Sequence, residues 1–243
     1  MTRDSKIHTI GQSVRQGGGL LLKEQYFSSN TIDAKAVEMR QAAEKSAKHG
    51  NRFGFVPSRS ALLVLDMQSY FLDDSSHAYV PSARAIIPRV ATLITAFAAL
   101  KLPIIFTRHI NTAENAQLMS RWWRETITGD NPLSQIVPEV DQSKGKVIEK
   151  CQYDAFFKTI IDEFLHARDV RQVVISGVMT HLCCESTARS AFMRGYEVFF
   201  LVDGTATYNE SFHQASLTNL SHGFAEMKLV SEILDSLQSG HDA

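Results

Sequence analysis

A carboxylate, an ammonium and a thiol each stand at the end of a separate short apolar run in this chain. Asp66 closes the run 61–66 (ALLVLD), Lys150 follows the run 146–148 within Val147-Ile148-Glu149-Lys150, and Cys183 follows the run 172–176 (QVVIS). A carboxylate at the end of an apolar strand is costly to bury without a partner, and in a cleft it serves as a general base or an orienting anion. A lysine that faces the same cleft would pair with it and lower the pKa of a nearby thiol. Gly177 permits a sharp turn after Ser176, and a helix starting near Leu182 puts Cys183 in its first turn. There the amides and helix dipole favour a thiolate and offer donors to a developing oxyanion. Taken one at a time, Asp66 also reads as a turn or cap residue, Lys150 as a solvated charge and Cys183 as a small buried hydrophobe. Taken together, nucleophile, cation and base make a hydrolase constellation that works through a covalent intermediate.

Such residues act together only if the elements bring them to one place. Strand-like runs occur at 61–66, 103–107, 146–148, 172–176 and 197–202, with a weaker one at 227–230. They are nearly continuous apolar stretches, as expected of parallel strands covered on both faces. Helical patterns lie between them at about 82–100, 116–127, 155–167, 182–194 and 210–224. The alternation predicts a three-layer α-β-α, doubly wound fold with a mostly parallel sheet of about six strands. In such sheets, sites form beyond the carboxyl ends of the strands, where strand order reverses. Residues 1–58 differ in being polar, with Gly17-Gly18-Gly19, an apolar piece at 20–22 and one helix over 32–49 with Asp33 as its cap. They read as an N-terminal extension, lying on the surface or against a partner subunit, ahead of a domain over 59–243.

Composition narrows the function classes. The 243 residues are 44% hydrophobic and 21% charged, with a formal net charge of −1, so a nucleic-acid or membrane-surface role has no electrostatic basis. The longest apolar stretches, such as 61–65 and 198–202, fall far short of the roughly 20 residues that span a bilayer. The first thirty residues lack a charged start followed by an apolar run, so no signal peptide is read there. Three cysteines, Cys151, Cys183 and Cys184, make no disulfide framework and suit a reducing cytoplasm.

The stretch ALLVLDMQSYFL at 61–72 resembles the opening of the isochorismatase-like cysteine hydrolases, whose first strand ends in Asp-x-Gln-x-x-Phe. Residues 177–183 (GVMTHLC), followed by Glu185-Ser186-Thr187-Ala188, resemble that family's nucleophile loop. Lys150 ahead of Tyr153-Asp154-Ala155-Phe156 resembles its triad lysine. The resemblance covers about 58–235 and implies a Cys183-Lys150-Asp66 triad. It also implies a cis peptide between Val178 and Met179, and an oxyanion hole made by the amides of Met179 or Thr180 and of Cys183. A homodimer or homotetramer acting on a small molecule is implied as well.

Metal-dependent nicotinamidases of this superfamily carry Asp-x-His after the second strand. Here the region reads Thr107-Arg108-His109-Ile110-Asn111, so no metal or other cofactor is expected. A cysteine at 183 points to small amides, ureides or carbamoyl compounds. Vinyl ether hydrolysis of the isochorismatase type is the alternative, and a redox-sensing Cys183-Cys184 pair without turnover is a minor one. Pocket candidates are Gln68 and Phe71 of the first motif, and His77 in the loop after it. Arg108, which could hold a substrate carboxylate, joins them with His109, Trp123, Tyr153 and His181.

Overall fold

The computed structural model describes residues 12–16, 19–45 and 53–239. Six parallel strands form the central sheet: β3 (Ser60–Leu65), β4 (Ile104–His109), β5 (Lys146–Lys150), β6 (Gln172–Val178), β7 (Glu197–Ala206) and β8 (Glu226–Lys228). Their order is β5-β4-β3-β6-β7-β8, so the chain winds outward one way from β3 and then the other way from β6. Every residue of β3 and β6 is buried, which explains the unbroken apolar runs. Edge strand β5 alternates instead: Ile148 and Lys150 are buried while Val147 and Glu149 are exposed. That alternation turns Lys150 inward.

Helices α3 (Ala83–Ala99), α6 (Glu185–Met193), α7 (Glu210–Gly223) and α8 (Val230–Ser239) supply the outer layers. α3 packs with α8 and α6 with α7, covering both faces of the sheet. Two helices are shorter than their sequence patterns. The pattern at 155–167 yields only α5 (Ile161–His166), because Lys158 adopts a left-handed backbone at φ 53°. The pattern at 116–127 yields only α4 (Met119–Trp122), since Gln117 is left-handed at φ 47° and Trp123 is already extended. A four-residue α2 (Ser69–Leu72) follows the first strand of the sheet.

Ahead of this sheet, β1 (Gln12–Gln16) and β2 (Gly19–Lys23) pair antiparallel, from Gln12 opposite Lys23 to Gln16 opposite Gly19. The sequence reading had only an apolar piece at 20–22. Tyr26 and Phe27 are then buried in the main core, and α1 (Ile32–Glu44) packs on α7 of its own chain. Residues 46–49 of the expected helix lie outside the described residues. Asp33 sits in the first turn of α1 and does not cap it; Thr31 holds the cap position, and Asp33 pairs with Arg89 at 2.7 Å.

Candidate active site

The site begins where β3 ends. Asp66 is fully buried and its backbone is left-handed, with φ 51°, a conformation that non-glycine residues hold only where the surroundings enforce it. Part of that enforcement is Gly177 of β6, itself at φ 111°. A Cβ added there would lie 2.0 Å from the Leu65 carbonyl oxygen, so only glycine lets the two strand ends approach. Thr107 of β4 donates its hydroxyl proton to Asp66 Oδ1 at 2.7 Å, which aims the carboxylate.

Lys150 brings its ammonium to the other carboxylate oxygen. Nζ lies 2.8 Å from Asp66 Oδ2, and both side chains have 0% exposure. The same nitrogen donates to the carbonyl of Gln152 at 2.9 Å and to Cys183 Sγ at 3.3 Å. Oδ2 has no aligned hydrogen bond of its own, so it keeps a lone pair for the thiol proton. Burial alone would raise the Asp66 pKa. The Lys150 ammonium, helped by His109, overrides it and holds the carboxyl below its ordinary value. Burial likewise opposes the Lys150 charge, and Asp66 with Cys183 more than restores it, leaving the ammonium pKa raised.

Cys183 lies in a wide π-type turn, Thr180–Cys184, that leads into α6. The Val178–Met179 peptide before it is cis. A helix start and a facing lysine would each favour a thiolate here. Instead burial first and Asp66 second push the thiol up to about 12, and Lys150 only partly offsets them. The resting state is therefore an uncharged thiol beside a carboxylate and an ammonium. Cys184, the neighbouring thiol, is sealed in the core.

His109 completes the cluster. Its Nδ1 is 3.3 Å from Lys150 Nζ and its Nε2 is 2.9 Å from Asn111 Oδ1, so the ammonium fixes the tautomer with the proton on Nε2. Burial, with Lys150 beside it, lowers its pKa to about 4 and keeps it neutral. The ligating atoms of Asp66, His109 and Cys183 lie within 4.8 Å of one another. Lys150 reaches all three, so the cation in this cluster is the lysine itself. With that charge in place against Asp66, His109 and Cys183, these residues do not fit a metal ion.

Phe71, His77, His109, Trp123, Tyr153, Met179 and Cys183 line one cavity. Trp123 donates its indole proton to Tyr153 Oη at 2.7 Å. Four expected site residues stand elsewhere. Gln68 is fully buried and bridges the backbone of His109 and the carbonyl of Ser134. Arg108 points away, toward Ser134 and toward Glu149 at 3.3 Å, because its neighbours Thr107 and His109 take the inward positions of β4. His181 bonds to the Thr207 hydroxyl and stacks on Phe212. The Thr180 hydroxyl contacts His213 Nδ1 at 2.9 Å, which also meets Tyr26 Oη at 3.0 Å. Through Tyr26 the N-terminal segment reaches the turn that carries the cysteine.

Tyr70, Asn111, Glu125 and Tyr208 also line the cavity and were not among the expected residues. Tyr208 follows the end of β7, so the strand-end rule would have found it. Tyr70 and Glu125 carry no comparable signal, and Thr107 is visible only through its bond to Asp66.

Comparisons with known proteins bear on the family and the fold. Residues 60–231 match the isochorismatase domain. Nicotinamidase 3 of Arabidopsis thaliana is 39% identical over 171 residues, covering 68% of this chain and 82% of that protein. Enterobactin synthase component B of Escherichia coli is 27% identical over 188 residues, covering 75% of this chain and 65% of that protein. The crystal structure of a cysteine hydrolase from Pseudomonas syringae superposes with a TM-score of 0.73 at 26% identity, covering 79% of this chain and 99% of that one.

Proposed function

The chain belongs to the isochorismatase-like hydrolases, and from that membership and the geometry above we propose that it cleaves the C–N bond of a small amide, ureide or carbamoyl compound through a thioester on Cys183. One observation carries the reading. A single buried ammonium, Lys150 Nζ, touches both Asp66 Oδ2 at 2.8 Å and Cys183 Sγ at 3.3 Å, and the cysteine forms part of a cavity wall.

Asp66 Oδ2 accepts the thiol proton as Sγ attacks the carbonyl carbon, and Lys150 balances the charge that appears on sulfur. The amides of Leu182 and Cys184 are taken up by the Met179 carbonyl. The oxyanion is assigned to the amides of Met179 or Thr180 and of Cys183. As the tetrahedral adduct collapses, Asp66 returns its proton to the leaving nitrogen and an amine or ammonia departs. Water then gives its proton to Asp66 and attacks the thioester, which releases the acid and restores the thiol.

Vinyl ether hydrolysis of an isochorismate-like substrate fits less well. Such a substrate carries two carboxylates, and among the described residues no arginine or lysine lines the cavity. A thiol switch fits less well again, because Cys184 is buried in the core. Incubation with a panel of small amides, followed by mass spectrometry of the quenched protein, tests the proposal. An acyl adduct on Cys183 and loss of turnover in a folded Cys183→Ala variant are expected. Undiminished hydrolysis by that variant would refute the nucleophile assignment.

A further inference from the structure

The cavity that receives Cys183 is apolar over most of its wall, and among its polar residues Tyr70, His77 and Glu125 form one hydrogen-bonded cluster. Tyr70 donates its hydroxyl proton to Glu125 Oε1 at 2.9 Å. His77 Nδ1 lies 3.1 Å from the same oxygen. Both contacts fall on Oε1, and Oε2 has no hydrogen-bond or ion-pair partner among the described residues. The carboxylate fixes the His77 proton on Nδ1, which leaves Nε2 as a bare acceptor, 3.5 Å from Tyr70 Oη. Burial lowers the pKa of His77, so the ring stays neutral.

Among the described residues no arginine or lysine lines the cavity, and Lys23 and Arg124, whose charges reach His77, stand outside its lining. Arg108 faces Ser134 and Glu149. Lys23 is engaged by the His77 carbonyl and the Tyr208 ring. Arg124 is exposed, and none of the three lines the cavity. Asn111 offers no substitute, since its Oδ1 accepts from His109 and its Nδ2 donates to the Cys151 carbonyl at 3.0 Å. Phe71, Trp123 and Tyr208 line the same cavity as the cluster and the thiol, and aromatic walls suit a planar substrate body.

We propose that Tyr70, His77 and Glu125 form a donor-selective subsite, so that the compound cleaved at Cys183 carries an N–H donor or a protonated amine, not a carboxylate, at the end remote from its scissile bond. This rests on the amide-hydrolase reading and adds the class of substrate to it. A carboxylate that accepts a charged donor gains a charge-assisted hydrogen bond. Glu125 is half exposed, so solvent limits the gain to about tenfold in affinity.

Three primary carboxamides on one ring separate the possibilities: benzamide, 3-(aminomethyl)benzamide and 3-carbamoylbenzoate. Their dissociation constants are measured by calorimetry on the Cys183→Ala protein, where binding is read without turnover. The aminomethyl compound is expected to bind about tenfold tighter than benzamide, and the carboxylate more weakly than benzamide. Glu125→Gln, placed in the same background, should bring the first ratio to within about twofold, and His77→Gln should lower it in the same direction. Equal binding of all three, or tightest binding of the carboxylate, overturns the subsite. Turnover of the same compounds by the unaltered enzyme is scored separately. The expected order of binding, with no hydrolysis and no adduct on Cys183, would leave the subsite standing and remove the hydrolase reading.

Discussion

At the scale of single residues, the site is two opposite charges that only make sense as a pair. Removing one partner of a fully buried ion pair leaves the other uncompensated and typically costs about 3–5 kcal/mol. Lys150→Met should therefore lower stability by that order as well as abolish turnover, as read by denaturant unfolding and by amide hydrolysis. The pH profile follows from the same charges. On the proposed mechanism Asp66 must be ionised to act, and its pKa is held below the ordinary carboxylate value. The Lys150 pKa is raised and the thiol sits at about 12, so kcat/KM should stay flat from about pH 6 to 9. An inflection near 6.5 would instead assign the base to a histidine, against the lowered pKa of His109. The strand-end rule found Asp66, Lys150 and Cys183 because each ends or follows an apolar run. It misread Arg108, because in a strand the side chains alternate and the inward places go to Thr107 and His109. Glu125 was invisible, since a half-exposed glutamate in an irregular segment has no pattern to mark it.

At the scale of elements, the strand runs were legible and the irregular connections were not. Continuous apolar runs marked the buried strands β3, β6 and β7. The truncation of α4 and α5 depends on left-handed residues, Gln117 and Lys158, whose types do not announce that backbone. The same holds for the π-type turn at Thr180–Cys184. One close approach is legible as a glycine: Gly177→Ala would drive a Cβ into the Leu65 carbonyl at a positive φ. That exchange should destabilise the protein by about 4 kcal/mol or more, with thermal melting as the readout. Tyr26 links the N-terminal segment to the cysteine turn, accepting from the Thr207 amide at 2.9 Å and contacting His213. Tyr26→Phe strands that buried amide and should cost about 1–3 kcal/mol, measured by denaturant unfolding.

Across the whole molecule, acid should act through the buried imidazoles. His109 and His181 have their pKa values lowered to about 4, and His213 to about 3, each mainly by burial. In the unfolded chain these rings take up protons near pH 6.5. Between that pH and about 4 the unfolded state binds more protons than the folded one, so stability falls as the solution is acidified through this window. Melting temperatures recorded from pH 7 to 4.5 should decline steadily, and a flat record would contradict the buried neutral rings. The N-terminal segment is a contributor on the same scale. Tyr26, Phe27, Ile32 and Ala36 belong to the main core, and a chain shortened to begin at residue 46 should melt lower than the full one. The coupled charges at the cavity floor also bear on how such a protein can change over generations. On the proposed mechanism, a lineage that lost Asp66 or Lys150 alone would forfeit activity and stability in one step. A floor of that kind leaves little room for single exchanges, whereas Glu125, Trp123 and Tyr208 on the wall can be exchanged without breaking the buried pair.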